Sequence, residues 1–391
     1  MWSRMLTTTP NFLWRMRTAL MVSVVVGGLL AESPPTFAQP DAGTKAADSK
    51  DAESKPAEAA SPSQQAIRKA YRISQKARSE QDYLQMIQLL DKALTDSTAT
   101  ERARRDASRL KGWAHNRRGE ILARQGKEKS ATVQFDLAIQ LNGDHWKARY
   151  NRGVSHSLAG ELDNAIDELN RAIELKRDYP MTWFNRGEAF YAQGKLRESI
   201  RDYTEAIRLD PENARFYHHR GYSHYSLREY DKAITDFDSS IEFKSDDAVP
   251  YIYRGDAYAE LGSYQQALQN YRRALDLNRE LGRAYLSVAW LLATCPDEQF
   301  RDEDQALAAA KKAIALDGED AGHRYLEVLA AAQANAGEFA EAQETQTQVV
   351  EQAPDTAQED CKVRLALYNQ DRPYRQQPAP VAGQWRPQSE P

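Results

Sequence analysis

Gly119 and Gly187 are each followed, seven residues on, by a glycine–lysine pair, Gly126-Lys127 and Gly194-Lys195. A phosphate-gripping loop needs four residues between its glycines, a Ser or Thr after the lysine and a strand before it, so that backbone N–H groups close on the phosphates. Here six residues intervene, Glu128 and Leu196 follow the lysines, and no strand precedes them. Phosphate chemistry is excluded. His218, His219 and His224 suggest a metal, yet helical ligands need i, i+3 or i+4 spacing to share a face. Histidines one, five and six residues apart lack it and read as surface or groove residues. Carboxylates lie on solvated helix faces or in turns such as 210–212, with no pair in an apolar setting that would raise a pKa for acid–base work. Cys295 and Cys361, the two cysteines, form no C-x-x-C pair and are too few for a zinc knuckle or a disulfide framework. No catalytic residue, metal site or cofactor site emerges.

The composition agrees. The 391 residues carry 28% charged and 41% hydrophobic side chains with a net charge of −5, which describes a soluble, mildly acidic chain with no electrostatic call for nucleic acid. The start is different. Arg4, Arg15 and Arg17 precede an apolar run at 19–31 and a small-residue exit, the layout of a secretory signal peptide cut after Ala38. The run is 13 residues long where a spanning helix needs about 20, so an uncleaved inner-membrane anchor over 19–31 is the alternative. Met16 is an equally credible start of translation, which would leave Arg17 before the apolar run. Residues 1–38 are read as the signal, placing the mature chain in the periplasm or cell envelope. Residues 39–62 lack aromatic and large aliphatic side chains and read as a disordered linker. The tail 372–391 holds five prolines and reads as loose, or, more sharply, as a basic and aromatic docking peptide.

Between the ends runs a period. Gly119, Gly153, Gly187, Gly221 and Gly255 stand 34 residues apart, each after an arginine. Twelve residues on come Ala131, Ala165, Ser199, Ala233 and Ala267; four further, Phe135, Leu169, Tyr203, Phe237 and Tyr271; three further, Ala138, Ala172, Ala206, Ser240 and Ala274. Offsets of four and three put these columns on one helix face. Small residues there admit a neighbouring helix closely while the ring fills the remaining space. The second glycines, Gly126, Gly160, Gly194 and Gly262, fall where the first helix must end. Each repeat is a helical hairpin whose apolar face only stacking can bury.

This pattern resembles the tetratricopeptide repeat of exported bacterial proteins. Residues 183–211 (WFNRGEAFYAQGKLRESIRDYTEAIRLDP) carry the family's tryptophan, glycine, aromatic, small, ring, alanine and proline places, Pro211 being the one closing proline kept. The expected fold is all-α, a right-handed superhelical solenoid of about eight hairpins. A divergent first hairpin and connecting helix occupy 63–111, five regular repeats 112–279, and two degenerate repeats 280–354 with an insertion near 298–304. A capping helix follows at 355–371. The arginines before the glycines face Glu168, Asp202 or Asp236 and are expected to form ion pairs. Cys295 and Cys361 fall on opposite edges of such a stack and should stay separate thiols.

The resemblance implies that the first helix of each hairpin lines a concave groove. It places there Trp113, Asn116 and Glu120; Lys147 and Tyr150; Phe184, Glu188 and Tyr191; Arg215, His218, Tyr222 and Tyr225; Ile252 and Asp256; and Arg283 and Trp290. Rings with arginine are the usual anchors of protein interfaces, although each ring also suits packing between hairpins. Asn151 and Asn185 sit near the places of a carboxylate clamp, but the lysine partners do not recur. The reading is a non-catalytic interaction scaffold holding a protein or peptide segment. It engages no nucleic acid and meets a membrane only through the N-terminal segment. The alternative is a carbohydrate- or peptidoglycan-associated factor stacking sugars on the same rings.

Overall fold

A computed structural model describes Pro34, residues 60–317 and residues 322–377. The signal, the anchor alternative, most of the linker and the end of the tail lie outside the described residues. The chain is an all-α array of helical hairpins in two compact units, one reaching Ala189 and the other starting at Phe190. The first unit holds α1 (Pro62–Ser74), α2 (Glu80–Thr95), α3 (Glu101–Arg124), α4 (Glu128–Leu141), α5 (Trp146–Ala159) and α6 (Leu162–Leu175). The boundary falls inside α7 (Pro180–Ala192). The second unit holds α8 (Leu196–Leu209), α9 (Ala214–Ser226), α10 (Tyr230–Phe243), α11 (Ala248–Glu260), α12 (Tyr264–Leu277), α13 (Gly282–Thr294), α14 (Glu303–Asp317), α15 (His323–Asn335), α16 (Phe339–Gln352) and α17 (Asp355–Tyr368). In the first unit α1 pairs with α2, α3 with α4 and α5 with α6; in the second, α9 pairs with α10, α11 with α12, α13 with α14 and α15 with α16. A 3-10 turn, Glu298–Phe300, occupies the insertion of the degenerate repeat. No described helix is long and apolar enough to cross a membrane.

Local sequence sets the helix ends. Helix α1 begins inside the expected linker because Ser61 caps it, bonding the amide of Gln64 while the Gln64 side chain returns to the Ser61 amide, with Pro62 supplying a preset φ. Helix α3 runs unbroken through 24 residues, merging the connecting helix with the first helix of the first regular repeat. Gly126, Gly160, Gly194 and Gly262 take positive φ, and after each the next amide bonds back five residues to close the helix. Arg228 holds the same place at φ 61°, and Asp371 ends α17 at φ 52°.

The repeat columns form the core. Ala131, Ala165, Ser199, Ala233 and Ala267 are fully buried, as are the rings or leucine four residues on. A methyl group built on Gly119 would lie 2.5 Å from the Phe135 ring, and one on Gly255 2.6 Å from Tyr271. Hydrogen at these positions lets the two helices of a hairpin touch.

The arginine column reaches two ways. Arg152 pairs with Glu168 of its own hairpin at 2.6 Å and Asp136 of the preceding one at 2.7 Å. Arg254 bonds Asn270 at 2.8 Å and Asp238 at 2.5 Å, and Arg220 bonds both Asp236 oxygens and Thr204. Every one of these partners lies 16 residues before or after its arginine. Arg186 keeps the backward bond, to Asn170 at 2.7 Å, and Arg118 keeps the forward bond, to Gln134 at 3.3 Å, while also bonding Glu80 at 3.0 Å. Cys295 and Cys361 are separate, buried thiols.

Candidate functional site

In the first unit the first helices carry a polar ladder. The Asn116 side-chain amide donates to Glu120 at 3.1 Å, and Asn151 donates to Asn116 at 2.9 Å and to Glu120 at 3.2 Å. Arg117 also contacts Glu120, and Asn185 donates to the Tyr150 hydroxyl at 2.9 Å. Lys147 is buried among Trp146, Tyr150 and Tyr179, its Nζ 5.3, 4.8 and 4.3 Å from their ring centres and bonded to the Tyr179 hydroxyl. Aromatic faces carry negative charge, which is how an ammonium group is accommodated away from water. Trp113 meets Tyr83 edge-on at 5.8 Å. Phe184 is fully buried, and Glu188 is half-buried.

In the second unit Tyr191 meets Tyr222 at 5.4 Å, Tyr222 meets Tyr253 at 4.7 Å, and Tyr225 meets Tyr230 at 5.5 Å. His218 lies among His219, Phe237 and Tyr253, and burial holds its imidazole well below the usual pKa, hence neutral. Asp256, beneath these rings, accepts from the Tyr271 hydroxyl at 2.8 Å, Arg283 at 2.6 Å and Ser287 at 3.1 Å. Tyr191 and Arg215 keep half-buried positions. Ile252 is buried. Among the described residues no three His, Cys, Asp or Glu side chains gather as a metal would require.

These placements correct the expectation of an accessible ring stripe. Trp113, Tyr150, Phe184, Tyr222, Tyr225 and Trp290 are all buried, as are Lys147 and Asp256. The cause is packing against neighbouring helices: Tyr222 lies between Tyr191 and Tyr253, Tyr225 against Tyr230, and Trp113 against Tyr83. Glu188, Tyr191, Arg215, His218 and Arg283 remain the predicted residues that are half-buried.

Trp290 is covered by the chain itself. After Asp371 turns the chain out of α17, residues 372–377 leave helical form and run against the end of α13 and the end of α11. The Gln376 amide donates to the Thr294 carbonyl at 2.8 Å, and Arg375 Nη1 donates to the Ala293 carbonyl at 2.9 Å. The Gln376 side chain accepts from the Trp290 indole N–H at 2.7 Å and donates to Glu260 Oε1 at 3.2 Å. Tyr374 lies 5.8 Å from the Trp290 ring, with the Arg364 guanidinium 5.2 Å from its own ring centre. Arg364 is held by Glu327, and both are buried. The expectation of a loose tail is therefore corrected for residues 373–376: an aromatic ring, a tryptophan and two bare carbonyls at a helix end repay their ordering.

Glu260 is the acid of this place. It is 6% exposed, and burial raises its carboxyl above the usual range. Among the described residues its hydrogen-bond partners are the Tyr230 hydroxyl and the Gln376 amide, both neutral. A cavity of about 20 Å³ adjoins it, lined by Asp256, Glu260, Tyr271, Trp290, Cys295 and Gln376 among others. Glu260, Glu327, Arg364 and Tyr374 escaped the sequence reading, since no column marks them. The arginines and rings of the tail were the available signal.

TPR repeat models match residues 158–194 and 187–228, and tetratricopeptide repeat models match 214–247 and 248–281. No curated protein matches the sequence. Among solved structures, the chain is similar to PilF of Pseudomonas aeruginosa, with 20% identity over 57% of this chain and 97% of that one, at a TM-score of 0.48. It is also similar to YrrB, described as a TPR protein with an unusual peptide-binding site, with 16% identity over 50% and 95% of the two chains and a TM-score of 0.42. MamA aligns with 21% identity over 41% and 95%, at a TM-score of 0.40. With the columns buried as the repeat requires and the models matching in register, residues 158–281 of this chain are tetratricopeptide repeats.

Proposed function

We propose that the chain is a non-catalytic interaction scaffold of the bacterial cell envelope that holds an extended or helical partner segment against the first helices of its hairpins. The observation that carries this reading is the seat at α13, where the helix end supplies two carbonyls and an indole N–H, and the end of α11 a carboxylate, to a non-helical segment of peptide. Such a surface binds main chain and side chain together, which is how extended segments are recognised. The envelope assignment rests on the basic and apolar pattern of residues 1–38. Cross-linked capture from the native cell envelope tests it, comparing wild type with a Tyr191→Ala/Arg215→Ala variant of verified helicity. One or more polypeptides captured by wild type and lost from the variant are expected. Identical capture by both, or none by either, overturns the reading.

A further inference from the structure

The segment on α13 belongs to the protein, yet it is seated as a ligand would be. It lies outside the repeat pattern and follows a proline, and its bonds join residues 82 to 116 positions apart in sequence. Its side chains divide the work. Tyr374 fills the space between Trp290 and Arg364, and Gln376 enters between the indole N–H and Glu260.

The fit at Gln376 is incomplete. A buried carboxylate is better matched by a cation than by a neutral amide, because a full opposite charge offsets the carboxylate in a low-dielectric site where the amide offers only a dipole. The cavity beside Gln376 has a volume of about 20 Å³ and is bordered by Asp256 as well as Glu260. A lysine side chain reaches one bond further than a glutamine, and its ammonium group would extend into that space toward both acids, giving up the acceptor that Gln376 offers the Trp290 indole. Arg283 already serves Asp256, whereas Glu260 is met by Tyr230 and Gln376.

We propose that residues 373–377 are an internal pseudo-ligand. They occupy a peptide site whose partner is an extended segment bearing an aromatic residue and, two positions on, a lysine that pairs with Glu260. The partner enters by displacing the tail. This deepens the scaffold reading and rests on it. The amide of Gln376 favours departure, since among the described residues no cation bonds Glu260 while the resident segment is seated, Arg228 acting on it only through its field, and the partner supplies one.

Fluorescence anisotropy with two labelled peptides tests the proposal. One copies residues 371–378, and the other carries Gln376→Lys. Each is titrated into the full wild-type chain, a Tyr374→Ala/Gln376→Ala chain that frees the site, and the freed chain with Glu260→Gln, all checked for helicity. The lysine peptide is expected to bind the freed chain at least tenfold more tightly than the glutamine peptide, with that advantage lost in Glu260→Gln. Wild type is expected to bind either at least tenfold more weakly than the freed chain. Equal affinities in wild type and freed chain, no binding to the freed chain, or no preference for lysine would overturn the proposal. Hydrogen exchange on the unaltered chain guards against a misfolded variant: saturating lysine peptide should accelerate exchange of the Gln376 amide, and an unchanged rate counts against displacement. Envelope capture reads other residues, Tyr191 and Arg215, so the scaffold reading can survive a negative peptide result.

Discussion

Replacing Gly255 by alanine is the sharpest trial of the packing argument. The added methyl would stand 2.6 Å from Tyr271 Cε1, 2.9 Å from Cδ1 and 3.2 Å from the Ala267 carbonyl oxygen. Neither neighbour yields easily. The carbonyl is helix backbone, and the ring is tied by its hydroxyl to Asp256 at 2.8 Å in a buried site. Overpacking of this kind costs about 1–3 kcal/mol, and the obstruction on both sides places Gly255→Ala near the upper end. Alanine returns roughly 1 kcal/mol through its better helix propensity. The net expectation is a loss of about 2 kcal/mol, read as a lower urea midpoint by far-ultraviolet circular dichroism. Gly143→Ala is the control, because nothing lies within 4 Å of a methyl there, and it should change stability by less than about 0.5 kcal/mol. A Gly255→Ala midpoint equal to or above wild type would refute the steric account of the glycine column.

Two further perturbations probe other features. Arg228 is exposed and sits at φ 61° where sister repeats have glycine; a left-handed non-glycine residue costs roughly 1–2 kcal/mol and glycine forfeits part of that in chain entropy. Arg228→Gly should therefore raise the urea midpoint by the equivalent of about 0.5–1 kcal/mol, and an unchanged or lower midpoint contradicts this. His145 is buried, which lowers its pKa to about 4. Because the unfolded chain takes up this proton near the ordinary histidine value of about 6.5, its contribution is complete above that pH and is lost as the pH falls toward 4, by about 3 kcal/mol in all. His145→Gln should flatten stability against pH across that window in equilibrium unfolding, and an unaltered slope would assign the acid sensitivity elsewhere.

The hairpin core was legible because its requirement is steric and recurs. Gly119 meets Phe135 just as Gly255 meets Tyr271, so the same small and large residues return every 34 positions. The arginine ladder was half legible. Glu168 and Asp236 could be matched to Arg152 and Arg220, but the backward partners Asp136, Asn170, Thr204 and Asp238, though 34 residues apart, mix charged and neutral side chains and so announce no ion-pair column. Arg228 hid a turn that glycine announces elsewhere. The groove was the least legible part, because Tyr222 and Tyr225 look the same in sequence whether they face a partner or the next helix. Only the separation of first helices decides, and it buries them. Five prolines marked the tail as loose. They could not show that Tyr374 would find Trp290 and Arg364 waiting 84 and 10 positions earlier.

An array in which each hairpin touches only its neighbours opens from its ends, one unit after another. The segment over α13 changes that for the C-terminal hairpins. By bonding Thr294 and Glu260 from beyond α17, it closes α13 to α17 into a loop, so the last hairpin cannot peel away while the segment stays bound. Terminal fraying and release of the segment become one event. Whatever draws residues 373–377 off their seat also loosens the end of the array, and a binding event at one helix is thereby converted into a change in how cooperatively several helices unfold.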